Sequence, residues 1–263
     1  MRRLGVVVVV ALALGCRSKP DAIKPPAAAT KPTDAAALYS AGKAALENKL
    51  LSQAVDDFTR ATTSASDPEL KANAWLGLGA AYGELGDHAH AVAAYEQVTV
   101  LRPDDADAWR VLGEGLAAAG QRDRQAAAVE HVIALDPDDL SAYLDLAGLD
   151  VAIGKAEKSK DVYLRYEGRR RDALVQLGKS KDPAARVDAA TALGGARDAG
   201  TARALVLALT DKDASVRVAC AQALGRIGVD IDPEVRPALQ ALLKREPDAK
   251  VRNAVDDALA ASH

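Results

Sequence analysis

From Ala74 to Leu85 apolar residues recur at helical spacing, and Gly86-Asp87 ends the run. A second helix is predicted from there to about Leu101. The stretch RPDDADAW then stops it and starts the next, since Pro103 cannot continue a helix and Asp104 or Asp105 can cap one. DPDDLSAY, with Pro137, repeats the device. Trp75, Trp109 and Tyr143 are spaced by 34, as are Leu78, Leu112 and Leu146, and Gly86, Gly120 and Gly154. Tyr95, Val129 and Tyr163 keep the same step. A fixed period of this length predicts helical hairpins that stack, because one hairpin cannot bury its apolar face alone. Gly79 and Gly113 fall inside the first helix of their pairs. Each costs up to ~1 kcal/mol against Ala there, which is expected if a neighbouring helix needs the room.

Trp75, Leu78, Gly79, Tyr82, Ala91, Tyr95 and Pro103 together resemble the tetratricopeptide repeat. The next unit keeps Trp109, Leu112, Gly113 and Pro137, with Leu116 in place of Tyr. An earlier unit, Leu38, Ala41, Gly42, Ala54, Phe58 and Ala61, is offset by 37, which places three inserted residues near SASDPE. A fourth runs from Tyr143 to about Tyr166, and the resemblance covers residues 35–168. It implies a concave groove lined by the first helix of each pair. Carried over by position, that face holds Tyr39, Lys43, Asn73, Leu76, Ala80, Arg110, Glu114 and Leu144, a mixed wall suited to a protein helix or an extended peptide. Ala80 stands where the family's carboxylate clamp has Asn, so the clamp is not implied.

Past Arg171 there is no aromatic residue, and the pattern changes. DPAARVDAATALG, DASVRVACAQALG and DAKVRNAVDDALA each carry Asp, Arg four later and Leu seven after that. Asp at a helix start favours the dipole, and Arg at i+4 can pair with it. RDALVQLGKS, TARALVLALT and PEVRPALQALLK are predicted as short helices near them. This is similar to HEAT repeats of the short bacterial kind, over residues 169–263. The resemblance implies a ladder of side chains between neighbouring repeats, formed by Asp182, Arg186, Asp213, Arg217, Asp248 and Arg252. The fold class expected is therefore all-α: a solenoid of tetratricopeptide hairpins followed by HEAT-like repeats.

The amino end departs from both patterns. Arg2 and Arg3 precede an uncharged run, Leu4 to Cys16, that Arg17 ends. A membrane span needs about 20 apolar residues, so this run is too short to cross and has the layout of an export signal, residues 1–15. Leu12-Ala13-Leu14-Gly15-Cys16 resembles a bacterial lipobox, with Ala13 where Leu is usual. That resemblance implies cleavage before Cys16 and lipid on its sulfur, hence a membrane anchor in the bacterial envelope. Arg17 in place of Asp points to the outer membrane, with the repeats facing the periplasm. A cleaved signal with an incidental Cys, giving a soluble periplasmic protein, is the other reading. Residues 16–34, rich in Pro and Ala, read as a disordered tether that cannot bury enough apolar surface to order itself.

Composition narrows the chemistry. Aromatics make up 3% of the chain and the formal net charge is −3, without the basic footprint of a nucleic-acid binder. Cys220 has no partner but Cys16, so stability must come from packing. GKS at residues 178–180 lacks the earlier glycine of a P-loop, and His88 and His90, two apart, do not make a helical metal pair. No cofactor, metal site or catalytic set is expected. Lys155, Lys158, Lys160, Arg165, Arg169, Arg170 and Arg171 form a basic cluster, either a solvated helix face at the domain junction or a dock for an acidic partner. The function expected is a non-enzymatic, membrane-anchored scaffold for protein partners. An enzyme or ligand-binding site at the junction of the two arrays, and a structural part of an envelope secretion or pilus complex, are the alternatives.

Overall fold

The computed structural model describes residues 34–261; the export signal, Cys16, the tether up to residue 33 and residues 262–263 lie outside the described residues. Thirteen α-helices and no strand occur among the described residues, and none of the helices is long and apolar enough to cross a membrane. They run α1 (Ala35–Glu47), α2 (Leu51–Ser64), α3 (Pro68–Glu84), α4 (His88–Leu101), α5 (Ala106–Ala118), α6 (Arg122–Leu135), α7 (Leu140–Ala152) and α8 (Ala156–Lys179). The second array continues with α9 (Pro183–Leu193), α10 (Ala199–Ala208), α11 (Ala214–Ile227), α12 (Val235–Arg245) and α13 (Ala249–Ala260). Each helix packs on the next in chain order through α9, and beyond it α9, α11 and α13 pack side by side, as expected of an α-solenoid.

The sequence starts and stops these helices by one repeated device. Nine of the thirteen described helices begin on an Asp whose carboxylate accepts from a first-turn N–H, among them Asp105 and Asp139. Between the helices of a pair, Gly86, Gly120 and Gly154 adopt φ of 76°, 71° and 79°, the left-handed conformation that closes a helix. The N–H of the following residue reaches back to Tyr82, Leu116 and Asp150 carbonyls in the three turns. In the first pair Lys49 holds that position at φ 59°, the one non-glycine residue among the described residues with positive φ. The three-residue insertion appears as an extra turn at the start of α3, which opens on Pro68 and is capped by Asp67.

Glycine inside the first helices makes room for rings, though only partly where expected. A Cβ on Gly79 would lie 2.4 Å from the Tyr95 ring, and one on Gly115 2.7 Å from its other edge. Gly113 faces nothing nearer than the Ala128 methyl at 3.9 Å, so it is Gly115, one position pair later, that admits Tyr95 from α4. Phe58 is likewise seated between Gly42 and Gly77. Trp109 and Tyr143 close their units by donating to the carbonyls of Pro103 and Pro137, at 2.8 and 3.2 Å.

The expected division between residues 168 and 169 falls inside α8, one 24-residue helix that serves both arrays. Nothing between Tyr166 and Leu174 breaks a helix except Gly168, which is tolerated. One buried apolar cluster runs from Ala126 to Ala258 across that point. Gly195, after α9, also abuts the start of α7: a Cβ there would lie 2.7 Å from the Ser141 nitrogen. Arg197 adds an ion pair to Asp145 at 3.1 Å. Cys220 is buried among alanines in this core, and burial pushes its thiol up to about 12.

Two positions depart from the repeat and can be tested. Lys49→Gly should raise stability by about 0.5–1 kcal/mol, because the left-handed backbone then costs no side-chain clash; the exposed Lys49–Glu84 pair that it removes adds little. Gly120→Ala should lower stability by about 1 kcal/mol for the mirror reason. Both are read as shifts in urea midpoint at constant slope. Asp150 is fully buried in the position held by Leu116 one repeat earlier, its carboxylate oxygens lack a hydrogen bond, and Lys158 Nζ stands 3.8 Å away. Asp150→Leu should therefore stabilise the fold, by about 1–3 kcal/mol in the same measurement.

Candidate functional site

Two of the first helices, α5 and α7, wall a hollow with α6. Arg110 and Glu114 on α5 and Leu144 on α7 come together around a hollow of about 640 Å³, floored by Val129 and Val132. The other expected groove residues lie on α1 and α3 and do not reach this hollow. Tyr39 is half-buried against Phe58, ring centroids 6.0 Å apart, with the Lys43 ammonium 5.9 Å from its ring. Asn73 accepts from Arg102 at 2.8 Å, and Arg102 also pairs with Glu69, so this side chain fastens α3 to the end of α4. Leu76 and Ala80 are half-buried.

A second hollow, of about 680 Å³, adjoins the first and shares Arg110, Asp139, Ser141 and Arg197 with it. Its far wall is α9 and α11, through Asp188, Thr191 and Arg226. Arg110 sits between Asp107 and Asp139, each 2.6 Å away. Burial works against its charge, but the bonds to Asp139 and Asp107 outweigh burial and raise its pKa. Burial alone would raise Asp139; the Ser141 hydroxyl, Arg110 and the Ala142 N–H together leave it below the usual carboxylate range. Both shifts keep the groups ionised, which suits recognition of charge and not proton exchange near neutral pH. Arg226 donates to the Thr191 carbonyl at 2.9 Å, and its guanidinium fills the space a side chain at Gly194 would need.

The inter-repeat ladder has other carboxylates than expected. Asp182, Asp213 and Asp248 cap their own helices. Arg186 instead forks onto Asp211 at 2.7 and 2.9 Å, and Arg217 onto Glu246 at 2.8 and 2.7 Å. Each of these acids stands two residues before the next capping Asp and also accepts that Asp's N–H. The same arginines donate through Nη1 to the Ser180 and Asp211 carbonyls, and Arg252 donates to Glu246 and Pro247 carbonyls in the same way. An Asp one turn back, at i−4, is engaged with its helix N–H groups and is not available to the fork. The acid-x-Asp spacing of Asp211-Lys212-Asp213 and Glu246-Pro247-Asp248 is the signal that would have found this.

The basic run is not one patch. Lys155 pairs with Asp123 at 3.0 Å, Lys158 with Glu130, Lys160 with Glu157 at 3.5 Å and Arg169 with Asp138 at 3.5 Å. Arg170 reaches Glu167 and Asp198, and Arg165 lies 5.2 Å from the Tyr143 ring centroid. Arg171 is exposed. Lys155, Lys158, Arg169 and Arg170 meet acids about 30 residues away, on α6 and in the turns before α7 and α10, so much of the run's charge is neutralised in place. His131 stacks on Trp109 with centroids 3.9 Å apart.

Residues 171–260 match the family model of HEAT repeats, and residues 72–115 match that of the tetratricopeptide repeat. The described residues are all-helical and carry repeats of both kinds over those two stretches. No curated protein matches it. Among solved structures, a crystal structure of MamA is 20% identical, covers 54% of this chain and 81% of that one, and gives a TM-score of 0.45. MamA 41-end from Desulfovibrio magneticus RS-1 is 20% identical over 53% and 77%, with a TM-score of 0.43. The myosin chaperone UNC-45 from C. elegans, in complex with a Hsp90 peptide, is 14% identical over 88% of this chain and 29% of its own, with a TM-score of 0.40.

The ladder predicts a pH dependence. The Arg217 guanidinium holds Glu246 below its usual range. Its contribution is then complete above about pH 4.5, the ordinary glutamate value, and is lost as pH falls through the lowered one. Glu246→Ala should cost on the order of 3 kcal/mol at pH 7, because it strands a mostly buried guanidinium. It should also flatten the acid limb of a stability-versus-pH curve measured by denaturation.

Proposed function

We propose that the protein is a scaffold that gathers protein partners on its concave face and is held on the bacterial envelope by lipid on Cys16. The observation that carries the reading is the open face itself: two repeat types joined through one helix and one core, with a continuous hollow along the first helices. Stacked repeats use most of their apolar surface on each other and leave an extended wall whose side chains are free to meet a partner. The anchor rests on Arg2, Arg3, the apolar run and the Gly15-Cys16 junction, and the periplasmic side and outer membrane follow from the same stretch. Two or more acyl chains suffice for stable anchoring, since each buried CH₂ adds ~0.8 kcal/mol.

A small-ligand site at the junction is the second reading, and the hollow of about 680 Å³ there favours it. The pKa directions of Arg110 and Asp139 suit binding a charged group over acid–base chemistry.

In a bacterial host, an alkyne-palmitate label should mark the wild-type chain, and Cys16→Ser should abolish the label and release the protein from the membrane fraction. Crosslinking in intact cells through a photoreactive residue at Leu144 should capture a protein. Capture no greater than from an exposed convex position such as Leu207 would overturn the scaffold reading.

A further inference from the structure

The inference deepens the scaffold reading and rests on it: it concerns the chemistry of the partner. The concave hollow does not stop at α9. A third hollow, of about 880 Å³ between α11 and α13, adjoins the second at Arg226, so a row of neighbouring hollows, together a segmented channel, runs from α5 to α13. Its charge is one-sided. The middle hollow brings four carboxylates, and each of the outer two adds two more, against the guanidinium groups of Arg110, Arg197 and Arg226 in the lining and those of Arg169 and Arg236, which pair with Asp138 and Asp230 from outside it. Arg110 is paired with Asp107 and Asp139 and Arg197 with Asp145; Arg226 donates to the Thr191 carbonyl and is the one lining cation that meets no acid among the described residues. Glu114 on α5, Asp188 on α9 and Asp257 on α13 are exposed and form no ion pair with any described residue. These three leave a row of uncompensated negative charge along the channel.

Between the carboxylates lie apolar side chains, Leu144 on α7, Ala192 on α9 and Ala258 on α13. That alternation fits lysine and arginine side chains, whose hydrocarbon stems can lie on an apolar floor while the charged heads meet acids. It opposes a nucleic acid or an acidic peptide by sign. We propose that the channel from α5 to α13 binds a cationic, extended segment of a partner protein, with Glu114, Asp188 and Asp257 as its charge-reading residues. The segment crosses from the tetratricopeptide helices onto the HEAT helices, so both arrays are needed for full affinity.

The test is fluorescence anisotropy of the full chain with a labelled 15-residue peptide of alternating Lys and Leu, beside the same peptide with Glu for Lys. The Lys peptide should bind at least tenfold more tightly, and its affinity should fall as salt rises. Glu114→Lys, Asp188→Lys and Asp257→Lys should each weaken binding several-fold, and the triple variant at least tenfold, with circular dichroism unchanged. Asp161→Lys, on the exposed side of α8, should change binding less than twofold. Equal binding of the two peptides, or charge reversals no more harmful than Asp161→Lys, would overturn the proposal. So would full competition by spermine at equal charge, which would mark a general polycation site. The single variants keep the test alive if the triple variant does not fold. The scaffold reading fails separately. If the triple variant still crosslinks its cellular protein, the scaffold stands and this channel does not. If the wild type binds the Lys peptide but captures no protein in cells, the channel stands and the scaffold does not.

Discussion

Helical hairpins of about thirty residues cannot bury their apolar faces alone, and the whole molecule follows from how each is covered by the next. Alanine makes this close but slippery: a small methyl surface tolerates several registers almost equally. The first array fixes register with rings. Phe58 enters the notch of Gly42 and Gly77, and Tyr95 that of Gly79 and Gly115, so a slip of one residue would drive a ring into a Cβ. The second array has no ring past Tyr166 and fixes register with buried forks, Arg186 on Asp211 and Arg217 on Glu246. The exposed pairs Glu96–Arg124 and Glu130–Lys158 repeat at the same 34-residue step, but at such exposure they add little.

The meeting of the two arrays is stiff for the same reason. α8 crosses it without a break, the apolar cluster is continuous over it, and Gly195 brings the end of the first HEAT pair onto the backbone of α7. A hinge there would have to open a packed core, and packed cores resist continuous deformation. The concave hollows on either side therefore behave as one wall, which is what lets residues on α5 and α13 act on the same bound segment.

Much of this was legible in the sequence, because it is local. Asp before a helix, Gly in a left-handed turn, and Pro before the next cap are each decided within a few residues. The period of 34 carried them from one unit to the next. What was not legible is what depends on distance along the chain. The cations of 155–171 looked like a patch because the acids that meet Lys155, Lys158, Arg169 and Arg170 lie about thirty residues away, on α6 and in the turns before α7 and α10. The ladder was assigned to the capping aspartates because they are near in sequence, although a carboxylate held by its helix's N–H groups is already spent. Gly113 and Gly115 are alike on paper, and only the position of Tyr95 decides between them. The boundary between the repeat types falls inside α8, because a change of repeat type need not be a change of helix.

The fate of charge separates what holds this fold from what it can bind. Where an acid meets a guanidinium under cover, as at Glu246 or Asp139, the pKa moves to keep both ionised, and the pair is a fastening. Such groups have little left to offer a ligand. Carboxylates that stand exposed without a fastening pay almost nothing in water and gain only when a cation arrives. Both populations line the hollows: Arg110 and Arg197 are held by Asp139 and Asp145, while Glu114, Asp188 and Asp257 stand exposed without an ion pair among the described residues. The wall therefore keeps its shape independently of any partner, and its specificity is carried by residues whose loss the fold would hardly register.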